Sequence, residues 1–490
     1  MTTPISPTQP ASIAYDDAPL TRFHIRIAVA GTGGQFSDGF ILGIIGIVIA
    51  AAGDTLGLTP LWTGALGAAT LTGLFAGAIA VGPVADRIGR RWIFGWDMLF
   101  FAVLSLLQFF VQTPGQLLTL RLLLGLVLGA DYVVSKSLVT EHSPRKFRGR
   151  LMSLLAVAWA AGYVFAYLIG FLLTGHGDNA WRYMLAISAL PALLVFGFRL
   201  GVPESPLWLA RHRRNAEAAD VVRRHLGPGV LPPTAPPLSQ HRGFTALFGP
   251  AYRRRTGVGA LFYVCQVIPF FALGTFSSQV MEALGVTSKM GAGALYNVFL
   301  LIGAVVGLLL IDRISRRRFL VGTFFTGAAL LTVLILFADA GASAIVVIGL
   351  FAAFAFLMSA AVNLEFVYPP ELFPTDLRAS GVGIATAASR LGSAASTFLL
   401  PVVEAGHGID TALVGCVVIL LVGGLVCWVW APETSTESLL DTDLAPTSGQ
   451  QPRMSAAGAA PPRSLGEHTR RQRARHVAGS ALAEARRTVM

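Results

Sequence analysis

Two short stretches of this chain decide its fold. Residues 141–148 read EHSPRKFR and residues 371–378 read ELFPTDLR, so a glutamate, a proline and an arginine recur at the same spacing, 230 residues apart. Each stretch directly follows an apolar run, near 116–139 and 342–366. Two further pairs recur at almost the same offset: Asp86-Arg87 with Asp312-Arg313, and Pro203-Glu204 with Pro432-Glu433. Three ordered matches at nearly one offset predict a chain built from two related halves.

Composition indicates that both halves are embedded in a membrane. Hydrophobic residues make up 54% of the 490 positions and charged residues 13%, against about 25% charged residues in a soluble domain. Runs of about twenty apolar residues can cross the bilayer core as helices. We place these runs near 27–51, 63–84, 92–111, 116–139, 149–173, 180–201, 257–280, 291–312, 319–337, 342–366, 378–403 and 409–430. The sequence therefore predicts an all-α membrane protein with twelve transmembrane helices in two six-helix pseudo-repeats.

Basic residues fall on one side of the predicted bundle. Nearly all arginines and lysines of the connectors lie in alternate connectors, and the opposite set holds only Arg182 and Lys289. Basic connectors mark the cytoplasmic side, so both termini are expected inside. The net charge of +11 is then a topology signal and requires no nucleic-acid partner. The predicted organisation is a cytoplasmic N-terminal segment (1–26), a six-helix half (27–201), a cytoplasmic insert (202–256), a second half (257–430) and a disordered cytoplasmic tail (431–490).

The connector motifs resemble those of the major facilitator superfamily. They read GPVADRIGRR at 82–91, RLLLG at 121–125, EHSPRKFRGR at 141–150, PESPLWL at 203–209 and YPPELFPTDLRASGVG at 368–383. Together they are similar to sugar porters and to the metabolite/proton symporter branch that includes synaptic-vesicle-like proteins, over about residues 25–435. The resemblance implies transport by alternating access in a bacterial-type inner membrane, usually as a monomer.

Two positions depart from the family pattern. Members of this branch often read Asp-Gly-Tyr-Asp in helix 1, whose second Asp is implicated in proton coupling, whereas this chain has Asp38 followed by Ile41 in that place. In sugar porters an arginine at the position of Arg121 pairs with the helix-1 acid, so we expect Asp38 to substitute for it. Helix 7 reads CQVIPFF at 265–271 and lacks most of the sugar-porter pattern. A hexose substrate is therefore not supported.

The repeated connector charges are candidates for gating. Glu141 with Arg148, and Glu371 with Arg378, are expected to face each other across short turns and to hold one side of the transporter closed. By resemblance, Asp86 meets the N-terminus of a helix in the other half, where the helix dipole favours an anion. Plain topology charge is the alternative reading. The complete gating and charge-relay set is Asp86, Arg87, Arg90, Arg91, Glu141, Arg148, Glu204, Asp312, Arg313, Glu371, Arg378 and Glu433.

Ionisable residues within the apolar runs are functional candidates, because charge at membrane depth is costly. Asp131 and Asp38 are the candidates for proton coupling, and a fixed ion pair of Asp131 with Arg121 or Lys136 is the alternative. Arg390 and Glu365 could form a second pair, or Arg390 or Lys136 could bind a substrate carboxylate, since both cations donate charge-assisted hydrogen bonds. The candidates for the substrate cavity are Arg121, Lys136, Arg390, Glu365, Tyr163, Tyr167, Gln266, Asn297 and Asn363.

Other chemistry is not indicated. No phosphate-binding loop occurs, and the cysteines and histidines lack metal-ligand spacing, so neither ATP hydrolysis nor a metal or other cofactor is expected. The sequence predicts a secondary transporter, not an enzyme, that moves a small organic or aromatic acid, or a sugar-like solute, by proton-coupled symport. An uncoupled facilitator, an efflux pump, or a membrane receptor on a transporter scaffold are the alternatives.

Overall fold

The computed structural model describes residues 13–177, 179–233, 244–287, 289–311, 313–373 and 375–434. The described residues form sixteen α-helices: α1 (Arg22–Leu56), α2 (Pro60–Ile88), α3 (Arg90–Leu107), α4 (Pro114–His142), α5 (Arg148–Leu173), α6 (Ala180–Ala186), α7 (Ala189–Arg199), α8 (Pro206–Arg211), α9 (Asn215–Leu226), α10 (Arg253–Thr275), α11 (Ser277–Ala283), α12 (Lys289–Leu310), α13 (Arg316–Asp339), α14 (Ala344–Glu371), α15 (Thr375–His407) and α16 (Ile409–Trp430).

Twelve membrane helices account for the predicted runs. Among the described residues, eleven spans are long and apolar enough to cross a membrane, counting α6 and α7 as one. The twelfth is α15, which is 33 residues long but less apolar. The predicted all-α architecture is thus confirmed. The first helix begins at Arg22 and α10 begins at Arg253, several residues earlier than expected, and the predicted tail falls almost entirely outside the described residues.

Local sequence explains where several helices begin and break. Thr59-Pro60 and Thr113-Pro114 start α2 and α4, and in each case the threonine hydroxyl accepts a backbone N–H of the first turn. Proline in the first turn loses no helical hydrogen bond, which makes this pair an efficient start signal. The sixth span is divided at Ile187 and Ser188, one turn before Pro191, because proline cannot donate a hydrogen bond back to that turn.

Helix packing repeats between the two halves. In the N-terminal half (α1–α7), α1 packs on α5, α2 on α4, and α3 on α7. In the C-terminal half (α10–α16), α10 packs on α15, α12 on α14, and α13 on α16. These are the same pairs when helices are numbered within each half. The packing therefore has the internal repeat that the connector motifs predict.

The two halves meet at the end of the bundle opposite the arginine-rich connectors. We call these the opposite end and the basic end. Gly46 of α1 lies against the carbonyl oxygen of Thr275, and Gly64 of α2 lies against that of Phe398 in α15. A Cβ atom at either glycine would overlap the facing carbonyl oxygen, so only glycine permits this approach. The opposite end is accordingly closed by backbone contact between the halves.

The N-terminal segment and the insert pack on the basic end of the N-terminal half. Ile13 forms an isolated bridge with Val230, and the ring of Phe23 stacks on His225 at 4.3 Å. The hydroxyl of Tyr15 donates to the carbonyl oxygen of Glu141 at 3.1 Å. Burial, and next the charge of Glu141, raise the pKa of the Tyr15 phenol, so it stays a donor. These contacts connect the N-terminus, the insert and the α4–α5 connector.

Candidate functional site

A buried guanidinium is shared by two carboxylates inside the N-terminal half. Arg199, at the end of α7, pairs with Asp97 of α3 at 2.8 Å and with Asp131 of α4 at 2.7 Å. Arg199 and Asp131 are at most 1% exposed and Asp97 is 3% exposed. Its guanidinium also lies over the Phe94 ring at 3.9 Å. Three membrane helices are therefore joined by ionic contacts in an apolar interior.

A third carboxylate completes this group. Asp38 of α1 accepts a hydrogen bond from the side-chain amide of Gln35 at 3.1 Å, and its carboxyl group interacts electrostatically with that of Asp131. We call Asp38, Asp97, Asp131 and Arg199 the carboxyl cluster. Gly34 makes room for it, because a Cβ atom there would lie 2.7 Å from Oδ2 of Asp131. The cluster holds three acids and one base.

The position of the cluster follows from its helices. Asp97 lies seven residues after the start of α3, and Asp131 lies eleven residues before the end of α4. At a rise of 1.5 Å per residue, Asp97 and Asp131 lie about 10 Å and 17 Å along their helices from the ends of α3 and α4 at the basic end. Asp131 also precedes Tyr132, which lines the central cavity described below. The cluster thus lies between the basic end and the centre of the bundle.

Sequence reasoning identified only half of the cluster. Asp38 and Asp131 were expected as a pair of candidates, but Asp97 and Arg199 were not, although both lie inside predicted apolar runs. The rule that charge at membrane depth is rare would have found them. The expected partners of Asp131 were Arg121 or Lys136, and the observed partner is Arg199. That expectation was wrong because Arg199, the last residue of α7, lies between α3 and α4.

Arg121 does not take Asp38 as a substitute acid. One of its terminal nitrogens donates to the backbone carbonyl oxygen of Ile41 at 3.0 Å, and the other two guanidinium nitrogens have no hydrogen-bond partner among the described residues. Arg121 is fully buried. Ile41 stands where related transporters have the second acid of the helix-1 pattern. Arg121 therefore still contacts this position, but it bonds to the backbone carbonyl oxygen instead of a side-chain carboxylate.

A narrow cavity lies at the centre of the bundle, between the halves. Its walls come from α4 and α5 on one side and from α10, α14 and α15 on the other. The lining residues are Tyr132, Trp159, Phe270, Phe271, Val362, Glu365, Phe366 and Arg390. The ammonium of Lys136 lies 4.2 Å from the Tyr132 ring centre and 4.3 Å from that of Phe366. The structure thus brings Lys136, Glu365 and Arg390 to one place.

The uncharged candidates are distributed differently. Tyr163 lies near Gly274, and Tyr167 contacts Gly293, so these tyrosines join α5 to the C-terminal half. Asn297 donates to the carbonyl oxygen of Gly293 at 2.8 Å, and Asn363 donates to that of Ala304 at 3.0 Å. Gln266 is buried, and neither atom of its amide has a hydrogen-bond partner among the described residues. A substrate contact by any of these five residues stays a prediction.

Paired acids organise the basic end in the same way in both halves. Glu141 at the end of α4 forms an ion pair with Arg90, and Glu371 at the end of α14 forms one with Arg316 at 3.5 Å. The expected pairing of Glu141 with Arg148 was wrong. Arg148 instead contacts Asp16 at 3.1 Å, and the carbonyl oxygen of Ser143, because α5 starts at Arg148 and turns its side chain towards the N-terminal segment.

Two further acids cap helices at this end. The carboxylate of Glu204 accepts the backbone N–H groups of Arg90 and Arg91 at 2.9 and 3.1 Å. In the second half, Glu433 accepts those of Arg316 and Arg317 at 3.0 and 3.2 Å. An anion at a helix N-terminus satisfies free donors and complements the dipole. The Pro-Glu repeats therefore hold the N-termini of α3 and α13.

Some gating candidates lie outside what the structure describes. Asp312 is outside the described residues, as are the side chains of Asp86, Arg87 and Arg378. Arg313 is exposed in the connector between α12 and α13. The gating role of the whole set stays a prediction.

The fold and its interior charges define a polytopic transporter of two related halves, and comparisons with known proteins agree. A family model described as "Sugar (and other) transporter" matches residues 33–444. The inner membrane metabolite transport protein YgcS of Escherichia coli (strain K12) is 41% identical over 87% of this chain and 96% of its own length. The putative metabolite transport protein YaaU of the same organism is 36% identical over 89% and 98%.

Solved structures show the same architecture. The inward-open structure of the xylose transporter XylE from E. coli superposes with a TM-score of 0.69, covering 86% of this chain and 99% of that chain at 20% identity. At that identity the likeness concerns the fold alone. The chain belongs to the sugar (and other) transporter family, and it is a multi-pass metabolite transporter, not an enzyme.

Proposed function

We propose that this protein is a proton-coupled symporter of a small organic metabolite. The observation that carries the proposal is the carboxyl cluster, in which three buried acids face one guanidinium. With all groups ionised, the cluster would hold two negative charges in excess. Uncompensated buried ions cost several kcal/mol each, and carboxyl groups in contact cannot all ionise together. At least one carboxyl must therefore bind a proton in the resting state.

The contacts within the cluster suggest which carboxyls share that proton. Asp97 and Asp131 both make direct ion pairs with Arg199, at 2.8 and 2.7 Å, and one carboxylate is enough to neutralise the guanidinium. Asp38 makes no ion pair among the described residues; it accepts a hydrogen bond from the neutral amide of Gln35 and interacts electrostatically with Asp131 and, from further away, with Arg199. We therefore assign the transported proton to the pair Asp38 and Asp131. The place of Asp131 directly before Tyr132, which lines the central cavity, supports a link between protonation and substrate binding.

The proposed cycle uses the two related halves. The close contacts at the opposite end support alternating access, in which that end is closed while the central cavity exchanges with the basic end. The capped helices α3 and α13, and the ion pairs of Glu141 and Glu371, are proposed to stabilise one state of this cycle. A free-energy difference of a few kcal/mol between the two states permits both to be populated.

We also propose that both termini lie on the cytoplasmic side, where basic connectors accumulate, and that the transporter acts as a monomer.

The substrate is proposed to be an organic or aromatic acid, or a sugar-like solute. XylE, which has this fold, is a proton:xylose symporter, and YgcS is a metabolite transport protein. The sequence of α10 at residues 265–271 argues against a hexose, and the central cavity offers aromatic walls with two cations.

An uncoupled facilitator is the second candidate, and one contact favours it. The 2.7 Å ion pair between Asp131 and Arg199 is the arrangement expected of a fixed structural pair. In that case the carboxyl group of Asp38 would keep its proton throughout the transport cycle.

Transport in proteoliposomes tests the proposal. Labelled organic acids, aromatic acids, sugars and polyols are offered with and without an inward proton gradient, and an uncoupler provides the control. Accumulation that follows the gradient and collapses with the uncoupler supports symport. Equilibration without accumulation, whatever the gradient, contradicts symport and supports the facilitator.

A further inference from the structure

We propose that the central cavity binds the carboxylate of an aromatic monocarboxylic acid between Lys136 and Arg390. This inference rests on the proposed transport function and names its substrate class. The two cations come from different halves, Arg390 from α15 in the lining and Lys136 from α4 against the lining rings of Tyr132 and Phe366, and the acid among the described lining residues is Glu365. The cavity therefore has one positive charge in excess, which one carboxylate would neutralise.

Glu365 interacts electrostatically with both cations, so among the described residues one acid is shared between two positive charges. Lys136 makes its close contacts with the faces of two aromatic rings, Tyr132 and Phe366. The guanidinium of Arg390 lies 4.8 Å from the Tyr132 ring centre, and its Nε has no hydrogen-bond partner there. Arg390 is 3% exposed. Ring faces compensate a buried cation only partly, so a carboxylate that bonds to both cations would add charge-assisted hydrogen bonds that the rings do not supply.

The walls suit a flat ring better than a polyol. Trp159 packs against both Phe270 and Phe271, with its ring centre 6.1 and 6.0 Å from theirs, and the indole Nε1 has no hydrogen-bond partner among the described residues. A sugar carries several hydroxyl groups, each of which needs a partner when it is buried. Apart from the charged groups, the described lining residues offer the Tyr132 hydroxyl, which Arg390 already contacts, and the Trp159 N–H, and their remaining side chains are apolar. An aromatic ring would instead stack on these faces.

The location of the two cations also links binding to closure. Because Lys136 and Arg390 belong to different halves, a carboxylate held by both would draw the halves together at the cavity. A ligand that lacks the carboxylate cannot make this bridge. The carboxylate ligand should therefore bind more tightly than a ligand without the carboxylate, and the difference in binding free energy should exceed that of a single hydrogen bond.

The test is ligand binding to the purified full-length protein in lipid nanodiscs at pH 7, measured by calorimetry. The probes are benzoate, 4-hydroxybenzoate and phenylacetate, each compared with its neutral amide, and D-xylose. We expect at least one acid to bind about tenfold or more tightly than its amide, as the loss of hydrogen bonds to charged groups predicts. Arg390→Gln and Lys136→Gln should each weaken that acid about tenfold or more and change amide binding little. Lys146→Gln is the matched control, because Lys146 also lies over an aromatic ring, that of Phe147 at 5.8 Å, but in the exposed α4–α5 connector.

Several outcomes would overturn the inference. It is wrong if no acid binds better than its amide, if D-xylose binds more tightly than the acids, or if both cavity variants bind the acid as the wild type does. Should Arg390→Gln fail to fold, Lys136→Gln and the wild-type comparison of acid with amide remain decisive. Binding needs no gradient, so acid binding without gradient-driven accumulation contradicts only the proton coupling. Gradient-driven accumulation of a neutral solute, without acid binding, contradicts only this inference.

Discussion

Replacing Asp131 by Asn removes one carboxylate from the carboxyl cluster without changing the size of the side chain. Arg199 keeps Asp97 at 2.8 Å, so the substitution leaves no unpaired guanidinium in the interior. It also removes the repulsion between Asp131 and Asp38. The variant should therefore fold, but it should lose the exchangeable proton that we assign to this pair.

The magnitudes follow from the contacts. Asp131→Asn loses the 2.7 Å ion pair with Arg199, while Asp97 still neutralises Arg199. This loss should cost about 1–2 kcal/mol of unfolding free energy. Arg199→Gln, which leaves the acids of the cluster without any cation, should cost about 3–5 kcal/mol. For transport, a gradient of one pH unit that drives one proton per substrate supports about tenfold accumulation, because about 1.4 kcal/mol corresponds to a factor of ten. Asp131→Asn should only equilibrate the substrate.

Two assays check these values. Thermal stability in detergent should rank wild type first, Asp131→Asn second and Arg199→Gln last. Proteoliposome uptake should show accumulation by the wild type, and exchange without accumulation by Asp131→Asn. If Asp131→Asn still concentrates its substrate tenfold, Asp131 is not the coupling group. If it is destabilised as much as Arg199→Gln, Asp97 does not neutralise Arg199 by itself.

Three further changes test other contacts. Glu204→Gln should weaken the cap of α3 by about 1 kcal/mol and slow turnover with little change in KM, whereas unchanged turnover in the uptake assay would remove Glu204 from the gating set. Ile41→Asp should be tolerated because Arg121 can pair with the new carboxylate, and combining it with Arg121→Leu should cost about 3 kcal/mol more in thermal unfolding; equal stability of the two variants would contradict the assigned geometry. Gly34→Ala should press on the carboxyl cluster and destabilise the protein by about 1–3 kcal/mol. Gly53→Ala on the same helix is its control, because a Cβ atom there meets nothing within 4 Å; a similar loss in both would mean that crowding of the cluster is not the cause.

The sequence by itself determined the number, type and order of the membrane helices. Apolar runs of bilayer length leave a chain little choice but helix, since backbone polar groups in lipid must be satisfied within the segment. Start signals such as Thr113-Pro114 act within one turn, and they too are readable from the sequence. The internal repeat was visible because Glu141 and Glu371 recur at corresponding places, and the packing of both halves agrees with it.

Only the tertiary structure decided which charges meet. Glu141 is seven residues from Arg148 but pairs with Arg90, which is 51 residues away in the chain, and Asp131 pairs with Arg199, which is 68 residues away. Sequence spacing predicts contacts along one helix or across one turn, whereas these pairs form between helices. Their partners depend on the rotation of each helix about its axis and on where α7 ends, and both are set by the packing of the apolar faces. Where a buried charge has few possible partners, that packing selects the partner.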